Sequence, residues 1–344
     1  MNKQGSKGKG RGIEWTQYTW NVIRGCQHAC RWTMPDGTVA VCYAETIANN
    51  VAQNAYPHGF EHHYWNPQVL EEPLKLREPS RIFLDSMSDL MGAWVPDEQI
   101  HAVLDVCKRA HWHSFQLLTK NAPRLEQFDF PANVWVGVSA PPTQMFGKSL
   151  TLDQQKRLVE RQLRALSLVR GAGVRWMSIE PLSFDIAPLL VNAPLDWVVI
   201  GAATNGMRTY QPKREWVENV LAVMDEQHIP VFFKGNLQWD AWREAYPTPK
   251  PPHIAPISDE SACGVLVSGR FEMFRWLHTD NRIALGLMCD TVTDDKRYTL
   301  TMPNQPVRVL TVKQATALLA TGEFTAVHIE TPNGRVVHHV EKTA

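Results

Sequence analysis

No run of about 18 apolar residues interrupts the chain, so no membrane-crossing helix is expected. The first residues lack the apolar core of a signal peptide, and a cytoplasmic location is expected. No charge of one sign dominates. Lys plus Arg number 35 and Asp plus Glu number 35, which removes overall charge as a sign of a polyanionic partner. No internal repeat is found. Cysteine is scarce, with six in 344 residues. Cys107, Cys263 and Cys289 have no motif spacing and read as buried apolar residues. What is present is an ordinary globular balance, 44% apolar and 20% charged, in a chain long enough for one large domain or two smaller ones. The thirteen tryptophans suit a packed core, or platforms on which bases could stack.

The other three cysteines lie in one stretch. Cys26 and Cys30 are three residues apart, and Cys42 follows after eleven more. Between Cys30 and Cys42, residues 31–34 and 38–41 are strand-like and flank Pro35-Asp36-Gly37, a strong turn signal. A hairpin brings its ends together, with paired Cα atoms about 5 Å apart. Cys30 and Cys42 are therefore expected to be neighbours, with three thiols converging on one point. Three such thiols have several readings. A disulfide with a free thiol fits a secreted protein, which nothing here suggests. A structural zinc could be completed by His28, although the paired C-x2-C knuckles usual for zinc are missing. An iron–sulfur cluster with three protein thiolates would leave one iron open, since a four-iron cluster normally takes four.

The rest of the chain alternates strands and helices. Strands are expected at 17–23, 81–85, 113–118, 134–138, 174–179, 197–200 and 231–233. Helices are expected at 43–54, 97–110, 151–169 (capped by Thr151) and 213–227. Such alternation indicates a parallel sheet, and the units fit an incomplete (β/α) barrel. Polar residues recur at the strand C-terminal ends: Asp85, Ser86, Ser88, Asp89, Lys120, Ser139, Glu180, Asn205 and Lys234. That rim builds the active site in parallel barrels. His58, His62 and His63 fall in a stretch without clear period and read as a surface loop. Residues 1–12 hold Lys3, Lys7, Lys9 and Arg11 with no acid, a flexible basic arm that could contact phosphates. Residues 13–240 form the barrel-like unit. Five prolines mark 241–262 as a linker, and 263–344 reads as a small α+β appendage, with a helix at 312–320 and a hairpin around Pro332-Asn333-Gly334.

Cys26-x3-Cys30 with a later cysteine and an adjacent aromatic resembles the radical S-adenosylmethionine (SAM) signature, C-x3-C-x-aromatic-C. The wider frame, Trp15-Thr16, Thr19-Trp20-Asn21, Gly25-Cys26 and Cys42-Tyr43-Ala44-Glu45, resembles a phage-borne family related to radical SAM enzymes and distantly to spore photoproduct lyase. The likeness runs in patches from about residue 12 to 240. Eleven residues replace the usual two before the last cysteine, and Tyr43 follows that cysteine. The usual glycine-glycine-glutamate element is absent, with Asp85-Ser86-Met87-Ser88 in its place. The resemblance implies a [4Fe-4S] cluster on Cys26, Cys30 and Cys42, SAM as cofactor, an external electron donor, and a partial (β/α) barrel. SAM is then expected near Asp85, Ser86, Ser139 and Glu180. Lys120 and Lys234 are the candidate catalytic side chains, facing a carboxylate or phosphate; a Schiff-base lysine in a complete barrel would leave the cysteines without a task. The expected activity is a radical rearrangement of a modified base in phage DNA that evades host restriction. The alternatives are a zinc-stabilised, non-catalytic nucleic-acid-binding protein and a radical SAM enzyme with a non-DNA substrate.

Overall fold

The computed structural model describes residues 1–4 and 12–249, and beyond them the strands Leu266–Gly269, Arg297–Leu300, Arg308–Thr311, Phe324–Glu330 and Val336–Glu341. The chain forms two compact units, Met1–His253 and Ile254–Ala344. In the first, the elements used below are β1 (Asn2–Lys3), β2 (Tyr18–Trp20), β3 (Arg31–Thr33), β4 (Val39–Val41), α1 (Tyr43–Asn49), β5 (Arg81–Leu84), α2 (Asp97–Arg109), β6 (Ser114–Thr119), β7 (Val134–Ser139), α3 (Leu152–Ser167), β8 (Val174–Ile179), β9 (Trp197–Ile200), α4 (Arg214–Glu226) and β10 (Val231–Phe233).

The main sheet has eight strands in the order β1-β2-β5-β6-β7-β8-β9-β10. All pairs are parallel except β1 with β2. From β2 onward each strand lies beside its successor in the chain, as the strand–helix alternation implies. Among the described residues no pairing joins β10 back to the first strands. The architecture is therefore an open, mixed α/β sheet, and a closed barrel is not formed.

Strand periodicity sorts the side chains into two layers. Ile82, Leu84, Val136, Met177, Ile179, Val198, Ile200 and Phe233 share one core with the helix residues Ile100 and Val103 of α2, Val159 and Leu163 of α3, and Val217 and Val220 of α4. The alternate positions, Phe83, Trp135, Trp176, Trp197, Val199 and Phe232, pack with Trp15 into a separate aromatic core. Here the rings meet edge to face: Trp15 lies 4.7 Å from Phe83 and 5.1 Å from Trp176, the geometry aromatic quadrupoles favour. Gly137 makes room for this layer, because a Cβ there would lie 2.3 Å from the Trp176 ring. These tryptophans are core, not base-stacking platforms.

The helix ends follow their capping residues. Thr151 and Gln154 form a reciprocal capping box on α3. Asp97 and Glu98 open α2, and Lys108 and Arg109 close it, both complementing the helix dipole. The expected basic arm begins differently. Asn2 and Lys3 pair with Thr19 and Tyr18, because the free edge of β2 offers backbone partners. Lys7, Lys9 and Arg11 lie outside the described residues. In the expected linker, Glu244 bridges to Phe232, and the Tyr246 ring stacks 5.6 Å from that of Trp197. In the second unit, Phe324–Glu330 pairs antiparallel with both Leu266–Gly269 and Val336–Glu341, and Arg297–Leu300 pairs with Arg308–Thr311. The helix expected at 312–320 lies outside the described residues.

Candidate active site

The cysteine hairpin forms as its turn chemistry predicts. β3 and β4 pair antiparallel, Arg31 opposite Val41, and the Cys42 N–H donates to the Cys30 carbonyl at 3.3 Å. Arg31 grips Glu45 of α1 with two hydrogen bonds of 2.6 and 2.7 Å, fixing the hairpin base to the helix. Gly25 carries the chain into the cysteine loop. Its φ is +86°, and a Cβ there would lie 1.8 Å from the His62 carbonyl oxygen, so only glycine fits. The Cys26 N–H donates to the Phe60 carbonyl, and Ser88 Oγ donates to the Gly25 carbonyl at 2.5 Å.

The thiols influence one another electrostatically. Burial pushes the Cys26 thiol up, and Asp89, Cys30 and Cys42 add to this. Burial raises Cys30 to about 11, against the lowering effect of Lys120. Among the described residues no three His, Cys, Asp or Glu side chains are grouped so as to hold one metal ion. His28 Nε2 lies 2.7 Å from Asp89 Oδ2. Thiolates are the donor type that iron–sulfur clusters take. The His58 and His62 rings lie 5.1 Å apart, and His63 Nε2 lies 2.8 Å from Gln99 Oε1.

Asp89 ties the loop to the rim. Its Oδ2 also accepts from Thr119 Oγ1 at 3.0 Å and from the Lys120 N–H at 2.9 Å. Burial opposes its charge, but His28, the Lys120 N–H and the Thr119 hydroxyl outweigh burial and hold its carboxyl below the usual value.

A cavity of about 230 Å³ opens over the aromatic core at the strand C-terminal ends. Cys42, Lys120, Ser139, Glu180 and Lys234 all line it. Lys120 Nζ donates to Ser139 Oγ at 2.9 Å, and Ser139 is held from behind by Gln162, whose Nε2 donates to its carbonyl. Across the cavity, Lys234 Nζ lies 2.8 Å from Glu180 Oε2, and the Trp15 indole N–H donates to Glu180 Oε1 at 3.1 Å. Burial works against the Lys234 charge, but Glu180 outweighs it and holds the lysine above its ordinary value. Trp32, Met34 and Ala40 of the cysteine hairpin and Ala202–Thr204 of a second hairpin complete the walls. Outside the cavity, Tyr210 of that second hairpin donates to Asp36 Oδ2 at 2.6 Å. The Tyr210 and Thr38 hydrogen bonds pull the Asp36 carboxyl down to about 2.

Two expected site residues lie elsewhere. Asp85 turns away from the cavity, 2% exposed, with Oδ1 accepting from the Ile23 N–H at 2.9 Å. Its φ of +52° ends the strand alternation and sends the side chain inward. Ser86 Oγ bonds Asn21 Oδ1, and its carbonyl accepts from Tyr43, beside the cysteine loop but not on the cavity wall. Trp15, Trp32, Ser178 and Asn236 line the cavity and were not among the expected site residues. Ser178 alone carried a local sign, sharing the strand face of Glu180 at a spacing of two.

No curated protein matches the sequence. Spore photoproduct lyase complexed with dinucleoside spore photoproduct matches at a TM-score of 0.37 and 10% identity, over 65% of this chain and 65% of that chain. A point mutant of spore photoproduct lyase matches at 0.42 and 9%, over 69% and 81%. Streptococcus suis SuiB bound to precursor peptide SuiA matches at 0.33 and 8%, over 65% and 49%. A family described as "Protein of unknown function (DUF5131)" matches residues 10–296, and the chain belongs to this family.

Proposed function

We propose that this protein is a radical SAM enzyme that rearranges a modified base in phage DNA. The observation that carries the class is the hairpin that sets Cys30 beside Cys42, with Cys26 on the same loop and Cys42 facing a cavity at the strand ends. Cys26, Cys30 and Cys42 would hold a [4Fe-4S] cluster, leaving one iron without a protein ligand. When bound, the cluster with SAM supplies a one-electron reduction and hydrogen abstraction from an unactivated C–H bond, which side-chain acids and bases cannot perform.

The chain's own groups bind and shield. Lys120 Nζ and Ser139 Oγ present a cation and a hydroxyl to an anionic group, the SAM carboxylate in this reading. Ser86 stands near the cysteine loop as a further polar contact. Glu180, expected among the SAM-holding groups, is engaged by Lys234 and Trp15 and borders the substrate side. Asp85 takes no part, because its carboxyl is buried against Ile23. The two hairpins wall the cavity and keep water from the reacting groups.

Assignment to DNA rests on the sequence resemblance and is the finer part of the proposal. The test is anaerobic incubation of reconstituted protein with SAM, reductant and modified phage DNA, followed by nucleoside mass spectrometry. A product of unchanged mass and shifted retention is expected. Turnover of a peptide or metabolite with unchanged nucleosides would reject the DNA substrate and leave the enzyme class. No SAM cleavage under any reducing condition would reject the class.

A further inference from the structure

The second hairpin beside the cavity consists of the strands Ala203–Asn205 and Arg208–Tyr210, and the proposed reaction uses it only as a wall. Its root is pinned at one residue. Asn236 Oδ1 accepts from the Ala202 N–H at 3.2 Å, and Asn236 Nδ2 donates to the Ala202 carbonyl at 2.8 Å. On the other leg, Gln211 Nε2 donates to the Asn236 carbonyl at 2.9 Å. Beyond that root, the polar contacts that residues 203–210 make outside their own hairpin go, among the described residues, to the turn of the cysteine hairpin. Tyr210 donates to Asp36 Oδ2 at 2.6 Å, Arg208 Nη1 lies 3.4 Å from the same oxygen, and Asn205 Nδ2 lies 3.4 Å from Thr38 Oγ1. The other Asp36 oxygen faces its own turn, accepting from the Thr38 N–H and hydroxyl.

These tip contacts are easily exchanged. Asp36, Thr38 and Arg208 are exposed, and Asn205 and Tyr210 are half-buried. Met207, in the turn of the second hairpin, is fully exposed. Among the described residues no strand pairing joins the two hairpins. Exposed hydrogen bonds give way to water at a small net cost, so the tips can part without opening a core, while Asn236 keeps the root in place. The size of the cavity gives a reason for them to part. It measures about 230 Å³, below the roughly 300–1,000 Å³ of sites that take a whole small molecule. A cofactor and a substrate together need more room than the joined walls leave.

We propose that residues 203–210 form a gate over the cavity, hinged at the root that Asn236 pins and latched shut by Asp36, and that ligands enter when the latch opens. Hinged loops of this kind control access to many enclosed sites. The gate deepens the reading above and rests on it for the identity of the ligand.

The test first labels lysines in the full-length, ligand-free protein. Lys120 lines the cavity, and Lys108 is exposed on α2 and serves as the reference. Both are modified with a bulky N-hydroxysuccinimide ester and quantified by peptide mass spectrometry. Tyr210→Phe removes one latch hydroxyl, Arg208→Met removes one cation, and neither alters the cysteine loop. Each should raise the Lys120 rate relative to Lys108 about threefold, within the range for one net hydrogen bond. Asn205→Ala removes the third donor and replaces either variant where it fails to fold. An unchanged ratio in the folded variants would overturn the gate. In reconstituted protein, SAM association and dissociation should both quicken by the same factor in Tyr210→Phe at unchanged Kd, because Tyr210 is not on the cavity wall. A weaker Kd at an unchanged association rate would make Tyr210 a ligand contact and overturn the gate. Absence of SAM binding in every form, together with faster Lys120 labelling, would reject the enzyme reading and still support the gate.

Discussion

Replacing Asp85 by asparagine should change how stability depends on pH. Asp85 ends β5 with its carboxyl buried, one oxygen accepting from the Ile23 N–H and the other without a partner. Burial pushes its pKa up to about 8, with Asp89 adding and the Ile23 and Val22 N–H groups opposing. An unfolded aspartate titrates near 3.9. Between those values the folded chain binds one more proton than the unfolded chain, so unfolding free energy falls as pH rises. The contribution is at most about 1.4 kcal/mol per pH unit. Below about pH 4 both states are protonated and the effect vanishes; above about pH 8 both are ionised and the full penalty remains. Asparagine tolerates the positive φ, keeps an acceptor for Ile23 and does not ionise. Urea denaturation at pH 5, 6 and 7 should show Asp85→Asn gaining on the unmodified protein by up to about 1.4 kcal/mol per unit. Parallel stability curves across this range would refute the buried, protonated carboxyl.

Three further outcomes are expected. Gly25→Ala should displace the Cys26 loop, because its Cβ would overlap the His62 carbonyl; cluster uptake, read from visible absorbance, should drop while far-ultraviolet circular dichroism stays native, and unchanged uptake would count against the loop's role. Lys120→Met should weaken SAM binding by about tenfold or more, the range for a hydrogen bond to a charged group, with cluster absorbance retained; an unchanged SAM titration would remove Lys120 from the anion site. Thr151→Ala should cost about 1 kcal/mol of stability by opening the capping box on α3, and chemical denaturation would measure it.

Legibility followed the range of the interactions. The cysteine hairpin was readable because Pro35-Asp36-Gly37 fixes a turn within a few residues, and α3 because Thr151 and Gln154 cap it locally. The parallel strands were readable as apolar runs between helices. Pairings of two residues, such as Ile23–Arg24 with Tyr64–Trp65, carry no local pattern. Nor does Gln144 opposite Arg31, which extends the hairpin into a larger sheet. Asp85 looked like a rim residue because its position follows a strand; its positive φ, invisible in sequence, turns it inward. The His28–Asp89 bond joins residues 61 positions apart, and Trp15 reaches Glu180 across 165. Ser139 and Ser178 become neighbours through the β7–β8 register, a consequence of sheet order that no single segment encodes.

The central claim is that Cys26, Cys30 and Cys42 bind one iron–sulfur cluster. Iron and acid-labile sulfide should be determined per chain after anaerobic reconstitution, for the unmodified protein and for each single Cys→Ala variant. The account predicts a four-iron cluster with its broad visible absorbance in the unmodified protein, lost in all three variants. One stoichiometric zinc without iron, or a full cluster retained in any of the variants, would contradict it.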